Sequence, residues 1–412
     1  MHTLTTLTLL ASLLSLGSTS PTPALKKRSF EHHVRRQINR HPRSGSDALI
    51  KAYNKYGFTL TARQTSNSTR GSGAGAGNAT GSGSSTGQVP AVPEPNDAEF
   101  LSPVVIGGQT LVLDFDTGSS DLWVFSTALS QRTIGGHAAF DPSKSTSFKA
   151  MTGASWQISY GDGSGAAGVV GMDVVNIGGA TATRQAVELA TAVSQSFVKD
   201  ANNDGLVGLA FSQLNTVKPT KQTTFFDSIM PQLALPVFSV DLRNDSTGSY
   251  LFGAIDQSKF SGTLTNIPVN SASGFWQVTS PAIQIGNQRV ATPNASPAIA
   301  DTGTSLLLVD PQVATAYYKQ VPGATNDATV GGFTYPCTST LPDFGVALGN
   351  NYMAMIPGSE ITFAQVDTGT CFGGVQSNGG AGLQIYGDVM FKTQYVVFDG
   401  GAKQLRVAPK KR

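Results

Sequence analysis

The tripeptide Asp-Thr-Gly occurs twice in this sequence, at 116–118 and at 301–303, and a small hydroxyl residue follows both copies. A short apolar run precedes each copy, LVLDF before the first and AIA before the second. One copy alone is weak evidence, because Asp and Gly are common in turns. Two copies in matched surroundings predict a duplicated half-domain that brings Asp116 and Asp301 face to face. Two carboxylates that share one proton can hydrolyse a peptide bond through a bound water.

The predicted chemistry is general acid and base catalysis. Like charges a few Å apart do not both ionise easily, so the pKa of one aspartate falls and that of the other rises. The ionised member takes a proton from the attacking water, and the protonated member donates a hydrogen bond to the substrate carbonyl oxygen. We expect the hydroxyls of Ser119 and Thr304 to donate to the outer carboxylate oxygens. The small Thr and Gly residues after each aspartate, including Gly118, let backbone groups approach it.

Other hydrolytic chemistries lack the residues they need. From residue 89 onward the sequence has one histidine, His137, which lies beside two glycines and is interpreted as a surface loop residue. There is no G-x-S-x-G turn for a serine nucleophile and no H-E-x-x-H for a zinc site. A phosphate-binding loop is also missing. We therefore expect neither a metal ion nor a cofactor.

The composition favours β-structure. The chain has 46 glycines and 13% charged residues, and from about residue 89 short apolar runs alternate with turn residues. The triplets LVG at 206–208 and IYG at 385–387 follow the two aspartates at similar distances. We therefore expect an all-β fold with few short helices and two lobes, 89–265 and 266–412, related by a pseudo-twofold axis.

The first 88 residues have a different character. Residues 1–20 are predicted to be a secretory signal peptide, 21–70 a basic pro-segment, and 71–88 a Gly/Ser-rich linker. Residues 21–88 carry 11 Lys and Arg against 2 Asp and Glu, whereas 89–412 carry 17 against 24. A nucleic-acid arm is the alternative interpretation of the basic block, and the signal peptide before it disfavours that alternative.

Features of secreted proteins occur elsewhere in the chain. The N-x-[ST] pattern predicts glycosylation at four asparagines: Asn67, Asn78, Asn244 and Asn294. The two cysteines, Cys337 and Cys371, predict one disulfide, with two buried thiols as the alternative. The C-terminus has no hydrophobic tail, so we expect no lipid anchor, and no stretch is long enough to predict a membrane span.

Two stretches resemble the active-site motifs of pepsin-like aspartic endopeptidases. Residues 113–125, LDFDTGSSDLWVF, resemble the first motif, and residues 299–308, IADTGTSLLL, resemble the second. The similarity covers about 95–412 and is greatest to secreted fungal enzymes of the aspergillopepsin and penicillopepsin type. It implies a bilobal pepsin-like fold, a central cleft, and a secreted acid endopeptidase made as a zymogen.

The resemblance also extends to a flap over the cleft. Residues 156–165, WQISYGDGSG, resemble it, and their alternation into an Asp-Gly turn independently predicts a hairpin. By this resemblance Tyr160 is the flap tyrosine, Trp123 is its hydrogen-bond partner, and Gly161 binds the substrate backbone. Asp162 matches an acid that lets the fungal enzymes accept Lys as well as large apolar residues beside the scissile bond.

Further substrate contacts follow from the resemblance alone. Phe197, Leu206 and Ile299 match apolar pocket positions, although each is also compatible with a core role. Gly303 and Thr304 match residues that contact the substrate backbone. The two cysteines match the disulfide of the C-terminal lobe.

The basic pro-segment acquires a role through its Lys55-Tyr56 pair. The pair resembles one in the family whose lysine lies between the catalytic aspartates, and a helix is predicted over 47–56 with Ala48 and Leu49 on its apolar side. We expect the positive segment to inhibit the negative body until acid weakens the contact, with self-processing between about 61 and 92.

The expected partners are polypeptide substrates and the chain's own pro-segment. We expect no nucleic acid, no membrane and a monomer. The alternatives are a catalytically silent pepsin-fold binding protein, which would usually have lost a catalytic residue, and a cell-wall-anchored processing protease, which would need an anchoring tail.

Overall fold

The computed structural model describes residues 30–34, 44–58, 92–93, 99–159, 165–244, 248–292 and 296–411. Several predictions fall outside these residues: the signal peptide, most of the pro-segment, the 71–88 linker, the processing region, and the residues Asn67, Asn78, Asn294, Tyr160, Gly161 and Asp162.

Strands dominate the described residues. Strands β1 to β9 are Phe30–Val34, Val92–Pro93, Phe100–Ile106, Gln109–Asp116, Leu122–Phe125, Lys149–Ser159, Gly165–Ile177, Ala180–Val193 and Gly205–Gly208. Strands β10 to β18 are Val237–Asp241, Gly248–Phe252, Thr265–Pro268, Gln277–Thr279, Ala282–Ile285, Gln288–Ala291, Pro297–Ala300, Leu307–Val309 and Thr325–Asp327. Strands β19 to β27 are Gly332–Pro336, Phe344–Leu348, Tyr352–Ile356, Thr362–Asp367, Thr370–Gly373, Val375–Ser377, Gln384–Tyr386, Gln394–Asp399 and Gln404–Pro409.

The α-helices are few and short. Helices α1 to α6 are Gly45–Lys55, Gln131–Ile134, Gln195–Lys199, Phe225–Ile229, Pro311–Tyr318 and Asp388–Phe391. Helix α1 begins where Ser44 accepts a hydrogen bond from the Asp47 backbone N–H, a cap typical of helix starts. The helix predicted over 47–56 is therefore present and starts two residues earlier. We also confirm the predicted all-β class.

The two halves repeat one strand arrangement. In the first half β4 runs parallel to β9, which pairs antiparallel with β5. In the second half β16 runs parallel to β25, which pairs antiparallel with β17. The sheets that contain them have the orders β2-β3-β4-β9-β5-β8-β7-β6 and β13-β16-β25-β17-β24. The internal repeat predicted from the sequence is therefore present in the strand pairing.

A six-stranded sheet joins the two halves. Its order is β1-β11-β10-β26-β27-β12, so it combines strands from both ends of the chain. Its first strand, β1, comes from the predicted pro-segment and pairs antiparallel with β11. Smaller sheets, β15-β14-β20-β21 and β18-β19-β23-β22, complete the second half.

The second half contains the disulfide. Cys337 follows β19 and is bonded to Cys371 on the neighbouring strand β23, with 5.0 Å between their Cα atoms. The predicted disulfide is therefore confirmed, and the alternative of two free thiols is wrong.

Candidate active site

The two Asp-Thr-Gly loops lie at equivalent strand ends. Asp116 is the last residue of β4, and Asp301 directly follows β16. Both residues are buried, at 2% and 0% exposed. Because the two loops occupy equivalent positions in a repeated arrangement, the two carboxylates approach each other from opposite halves.

Reciprocal threonine hydrogen bonds join the loops. The backbone N–H of Thr117 donates to Oγ1 of Thr302 at 3.2 Å, and the N–H of Thr302 donates to Oγ1 of Thr117 at 3.0 Å. Each hydroxyl then donates to a carbonyl of the opposite half, at Ala300 and Phe115. All four groups are buried, where unpaired polar groups are costly. The network therefore fixes the separation of the two aspartates.

Each carboxylate receives the same two local hydrogen bonds. Ser119 Oγ donates to Asp116 Oδ2 at 2.6 Å, and Thr304 Oγ1 donates to Asp301 Oδ2. The backbone N–H groups two residues after each aspartate donate to the other carboxylate oxygen, at 2.7 Å from Gly118 and 3.1 Å from Gly303. These bonds orient both carboxylates toward the space between the loops.

The two glycines make room for the opposite carboxylate. A Cβ atom on Gly118 would lie 2.5 Å from Asp301 Oδ1. A Cβ atom on Gly303 would collide with Asp116 Oδ1. Neither collision involves a flexible side-chain end, because hydrogen bonds hold both carboxylates. A side chain at either position would therefore push the aspartates apart.

Helix α1 places a lysine between the aspartates. Lys55 Nζ donates to Asp116 Oδ1 at 2.6 Å and to Asp301 Oδ1 and Oδ2 at 3.0 and 2.9 Å. The hydroxyl of Tyr56 donates to Asp301 Oδ2 at 2.6 Å. The carboxylates of both halves therefore converge on one ammonium group.

The two carboxylates differ in proton affinity. Burial favours the neutral form of Asp301, but the Lys55 charge and side-chain hydrogen bonds outweigh it and lower its pKa to about 2. Burial dominates at Asp116 and raises its pKa above the ordinary value. Burial also opposes the charge of Lys55, but the two carboxylates outweigh it and raise the lysine pKa. The ammonium therefore remains charged at neutral pH.

Comparison with known proteins identifies the family of this chain. The profile of the family described as eukaryotic aspartyl protease matches residues 99–410. The chain belongs to the eukaryotic aspartyl protease family. It is 47% identical over 407 residues to aspergillopepsin-1 of Aspergillus flavus, covering 98% of this chain and 96% of that protein. It is 52% identical over 328 residues to penicillopepsin-1 of Penicillium rubens, covering 78% and 81%. Penicillopepsin-2 of Penicillium janthinellum is 44% identical over 402 residues, covering 97% of each chain.

Membership of the aspartyl protease family confirms the predicted enzyme class, an aspartic endopeptidase. The hairpin predicted as its flap is formed by β6 and β7, which pair antiparallel up to Ser159 and Gly165. Its tip lies outside the described residues. Trp123 is 2% exposed, and its Nε1 atom donates no hydrogen bond to a described residue. The proposed contact between Trp123 and Tyr160 stays a prediction.

The apolar pocket candidates fall into two clusters. Phe197 packs edge-on against Trp123 with ring centroids 5.1 Å apart, and Leu206 belongs to the same cluster. Ile299 belongs to a different cluster, where it packs with the buried face of α1. That face consists of Ala48, Leu49, Ala52 and Tyr53. The helix therefore covers apolar surface in the second half as well as the aspartates.

Two other sequence-predicted residues have defined surroundings. Asn244 Nδ2 donates to Glu360 Oε2 at 2.6 Å, so its amide forms a hydrogen bond within the protein. Glycosylation of Asn244 stays a prediction.

His137 stacks on Phe125 with ring centroids 3.9 Å apart and is 7% exposed. The interpretation of His137 as a surface loop residue is therefore wrong, because its ring is buried.

A buried acidic group behind the first loop was not predicted from the sequence. Asn215 Nδ2 donates to Asp121 Oδ1 and to Glu188 Oε1, both at 2.9 Å. Asp121 is part of the first motif, and Glu188 pairs with Trp123 across β5 and β8. Burial and the neighbouring Asp121 raise the pKa of Glu188 well above its ordinary value of 4.5. Glu188 therefore keeps its proton to a higher pH in the folded protein than in the unfolded chain.

We predict that this group makes the fold less stable as pH rises. A carboxyl whose pKa is raised by folding contributes stability that is complete below its unfolded pKa and is lost as pH rises through its folded pKa. The loss reaches about 1.4 kcal/mol per pH unit for one proton. Glu188→Gln should therefore flatten the pH dependence of the unfolding free energy above about pH 4.5, measured by denaturant unfolding. The exposed control Asp367→Asn should leave that dependence unchanged, and equal slopes in wild type and Glu188→Gln would contradict the prediction.

Proposed function

We propose that this chain is a secreted acid endopeptidase, made as a zymogen, in which Asp116 and Asp301 activate a water for peptide hydrolysis. The observation that carries the proposal is the convergence of both carboxylates on one ammonium, at 2.6 and 2.9 Å. A group held by both carboxylates at such distances occupies the place that a catalytic water needs. The lysine belongs to the basic segment that we expect to be removed.

The proposed reaction needs one proton on the pair. The ionised aspartate accepts a proton from the water as its oxygen attacks the carbonyl carbon, and the protonated aspartate donates its proton to the carbonyl oxygen. The tetrahedral diol that results then collapses. Its C–N bond breaks as the nitrogen takes up the proton that the first aspartate gained from the water, and the second aspartate accepts a proton from a diol hydroxyl. The products are a carboxylic acid and an amine, and the pair again carries one proton. Hydrogen bonds from Ser119 and Thr304 hold the carboxylates in place throughout.

The proposed substrates are polypeptides with large apolar residues at the scissile bond. The apolar surface around Ile299, which α1 covers in the precursor, supports this preference. We propose Phe197 and Leu206 as pocket residues of the first half, and Gly118, Gly303 and Thr304 as contacts to the substrate backbone. Acceptance of Lys at the scissile bond through Asp162 remains part of the proposal.

The proposed zymogen state has the pro-segment as an intramolecular inhibitor. Lys55 neutralises the catalytic pair, Tyr56 donates to Asp301, and the apolar side of α1 fills the adjoining surface. Secretion is supported by the predicted signal peptide. Within the described part of the chain, no helix has the length and apolarity to span a membrane. We further propose that the mature enzyme is a monomer.

The activity is tested with the acid-treated protein and a denatured protein substrate. We expect cleavage that is fastest at acid pH, because the working form of the pair carries one proton. A statine-type mimic of the tetrahedral diol should inhibit it, because enzymes bind such mimics far more tightly than substrates. Cleavage that is unaffected by the mimic, or that requires a metal ion, would overturn the proposal.

A further inference from the structure

A buried asparagine connects the end of the first catalytic loop to residues 215–222. In addition to its bonds with the two buried carboxyl groups, Asn215 Nδ2 donates to the carbonyl of Ser120 at 3.2 Å. Its Oδ1 atom accepts hydrogen bonds from the backbone N–H groups of Val217 and Gln222, at 3.2 and 2.7 Å. The Asn215 side chain is therefore a fixed link between the catalytic loop and the 215–222 segment.

On the catalytic side, this link holds the residues that orient Asp116. The backbone N–H and the hydroxyl of Thr216 donate to Asp121 Oδ1 at 2.8 and 3.2 Å, beside the bond from Asn215. Asp121 lies two residues after Ser119, whose hydroxyl donates to Asp116 Oδ2. The position of the 119–121 stretch therefore determines how that hydroxyl meets the catalytic carboxylate.

On its other side, the 215–222 segment pairs with the flap hairpin. Ser155 of β6 donates to the carbonyl of Lys218 at 3.1 Å, and the N–H of Lys218 donates to the carbonyl of Ser155 at 2.8 Å. The next residue, Trp156, stacks on Trp123 with ring centroids 5.9 Å apart and donates from Nε1 to the carbonyl of Leu189. Because β6 is the outermost strand of its sheet, these contacts hold the outer edge of the hairpin.

The two carboxyl groups at this link need a proton between them. Asp121 and Glu188 are each 1% exposed, and a hydrogen bond joins their side chains. An asparagine amide has two hydrogens, and Asn215 Nδ2 faces three acceptors. Glu188 Oε2 receives no hydrogen bond from the residues that the structure describes. An oxygen that carries a proton needs no donor, so a protonated Glu188 that donates to Asp121 completes the network.

The charges around the pair offer little compensation for a second negative charge. Lys221 favours the ionised form of Asp121, but it is exposed and donates to the carbonyl of Gln213. The other charged side chains on the neighbouring segments are exposed or hydrogen-bonded elsewhere: Asp173, Arg184, Lys218 and Asp227. An ionised Glu188 would therefore lie beside an ionised Asp121 in a buried site, which is costly.

We propose that Asp121, Asn215 and Glu188 form a brace that aligns the flap hairpin with the first catalytic loop, and that this brace holds only while Glu188 carries its proton. The proposal rests on the proposed function, because it assigns positioning residues for that hydrolysis. Ionisation of Glu188 makes it repel Asp121, which breaks the bonds through Asn215 and frees the outer edge of β6.

The direction of the pH effect follows from the environment of Glu188. Burial and the neighbouring Asp121 raise its pKa well above 4.5. A group of this kind contributes stability that is complete below its unfolded pKa and is lost as pH rises through its folded pKa. The brace is therefore complete in acid and weakens toward neutral pH, independently of the protons on the catalytic pair.

The positioning role is tested with Asn215→Ala in the acid-matured enzyme. We expect kcat for an apolar peptide to fall by about 10²-fold at acid pH, because small misplacements of reacting groups cost about that much. KM should change little, because the substituted side chain is buried away from the substrate. Hydrogen exchange measured by mass spectrometry should be faster in residues 149–159, the β6 strand, at a pH where the variant remains folded.

The role of the proton is tested with Glu188→Gln, because glutamine can accept from Asn215 and donate to Asp121 at any pH. This variant should keep the wild-type kcat at acid pH. After incubation at about pH 7 and return to acid for the assay, its rate of inactivation should be about 10-fold lower than that of wild type. Every assay is done at one acid pH, so reversible titration of the catalytic pair does not contribute.

Glu360→Gln is the matched control. Glu360 also accepts a hydrogen bond from an asparagine amide, that of Asn244, but it is only partly buried and lies in the second half. This variant should lose activity at about pH 7 at the wild-type rate. Protection by Glu360→Gln equal to that by Glu188→Gln would overturn the specific role of Glu188.

The outcomes separate the brace from the overall function. Wild-type kcat and wild-type exchange of β6 in Asn215→Ala would overturn the positioning role, and inactivation of Glu188→Gln at the wild-type rate would overturn the role of the proton. If Asn215→Ala fails to fold, exchange of β6 that rises with pH in wild type but not in Glu188→Gln supports the brace, and equal exchange overturns it. Absence of statine-sensitive cleavage by wild type would instead contradict the proposed function, and the exchange measurement, which needs no cleavage, would still test the brace.

Discussion

Replacing either catalytic candidate by its amide, as Asp116→Asn or Asp301→Asn, should reduce kcat/KM by about 10²–10⁴-fold, the range that general acid–base catalysis contributes. An amide cannot accept the proton of the attacking water, and it cannot exchange a proton with the other carboxylate. Both substitutions keep the shape and most hydrogen bonds of the loops. The loss should therefore appear in kcat with little change in folding stability.

The same variants test self-processing. Purified precursor that carries Asp301→Asn should remain uncut after acid treatment, as followed by gel electrophoresis and N-terminal sequencing. Asp367→Asn is the control, because this residue is exposed at the end of β22. Cleavage of the Asp301→Asn precursor at the wild-type rate would show that another protease performs the maturation. Full peptidase activity in Asp116→Asn would contradict the catalytic assignment itself.

Much of this architecture is encoded in local sequence patterns. The Asp-Thr-Gly repeats predict two equivalent loops, because each copy carries its own preceding strand and its own following glycine strand. The apolar spacing of Ala48 and Leu49 similarly predicts a helix with one buried face. Such features involve neighbouring residues, so one sequence is enough to recognise them.

The contacts that cross between distant segments could not be predicted in this way. Thr117 and Thr302 bond each other across the two halves, and their matched positions in the repeat were the available signal. Asn215 has no motif that marks it as the bridge between two buried carboxyls. Lys51 is one of many basic residues in its segment, and only the fold shows that it faces Glu99.

The ring of His137 shows a further limit of local patterns. Glycines beside it predict an exposed loop, and the loop is present between α2 and the following strands. The imidazole nevertheless stacks on Phe125 and approaches the backbone carbonyls of Asn203 and Val198. Turn residues therefore predict where the backbone forms a loop. They do not predict which side chains of that loop are buried.

Replacing Lys55 by an uncharged residue should allow the precursor to become active at a higher pH. Breaking a buried ion pair by removing one partner costs about 3–5 kcal/mol. In the precursor variant Lys55→Met, the two carboxylates would remain beneath α1 without a cation. The equilibrium constant for docking of helix α1 should therefore fall by about 10²–10⁴-fold. The variant precursor should cleave a fluorogenic peptide at about pH 6, where we expect the wild-type precursor to be silent.

The direction of the pH effect follows from the pKa of Asp301. In the locked state the Lys55 charge and the Tyr56 hydrogen bond help to lower this pKa to about 2, so their contribution to locking is lost as pH falls toward 2. Wild-type precursor should therefore gain activity across that acid range, whereas Lys55→Met should already be active above it. Lys319→Met, the same change at an exposed lysine of the second half, should behave like wild type. If Lys55→Met stays silent at about pH 6 and activates over the wild-type range, the inhibition comes from the covering helix and not from its charge.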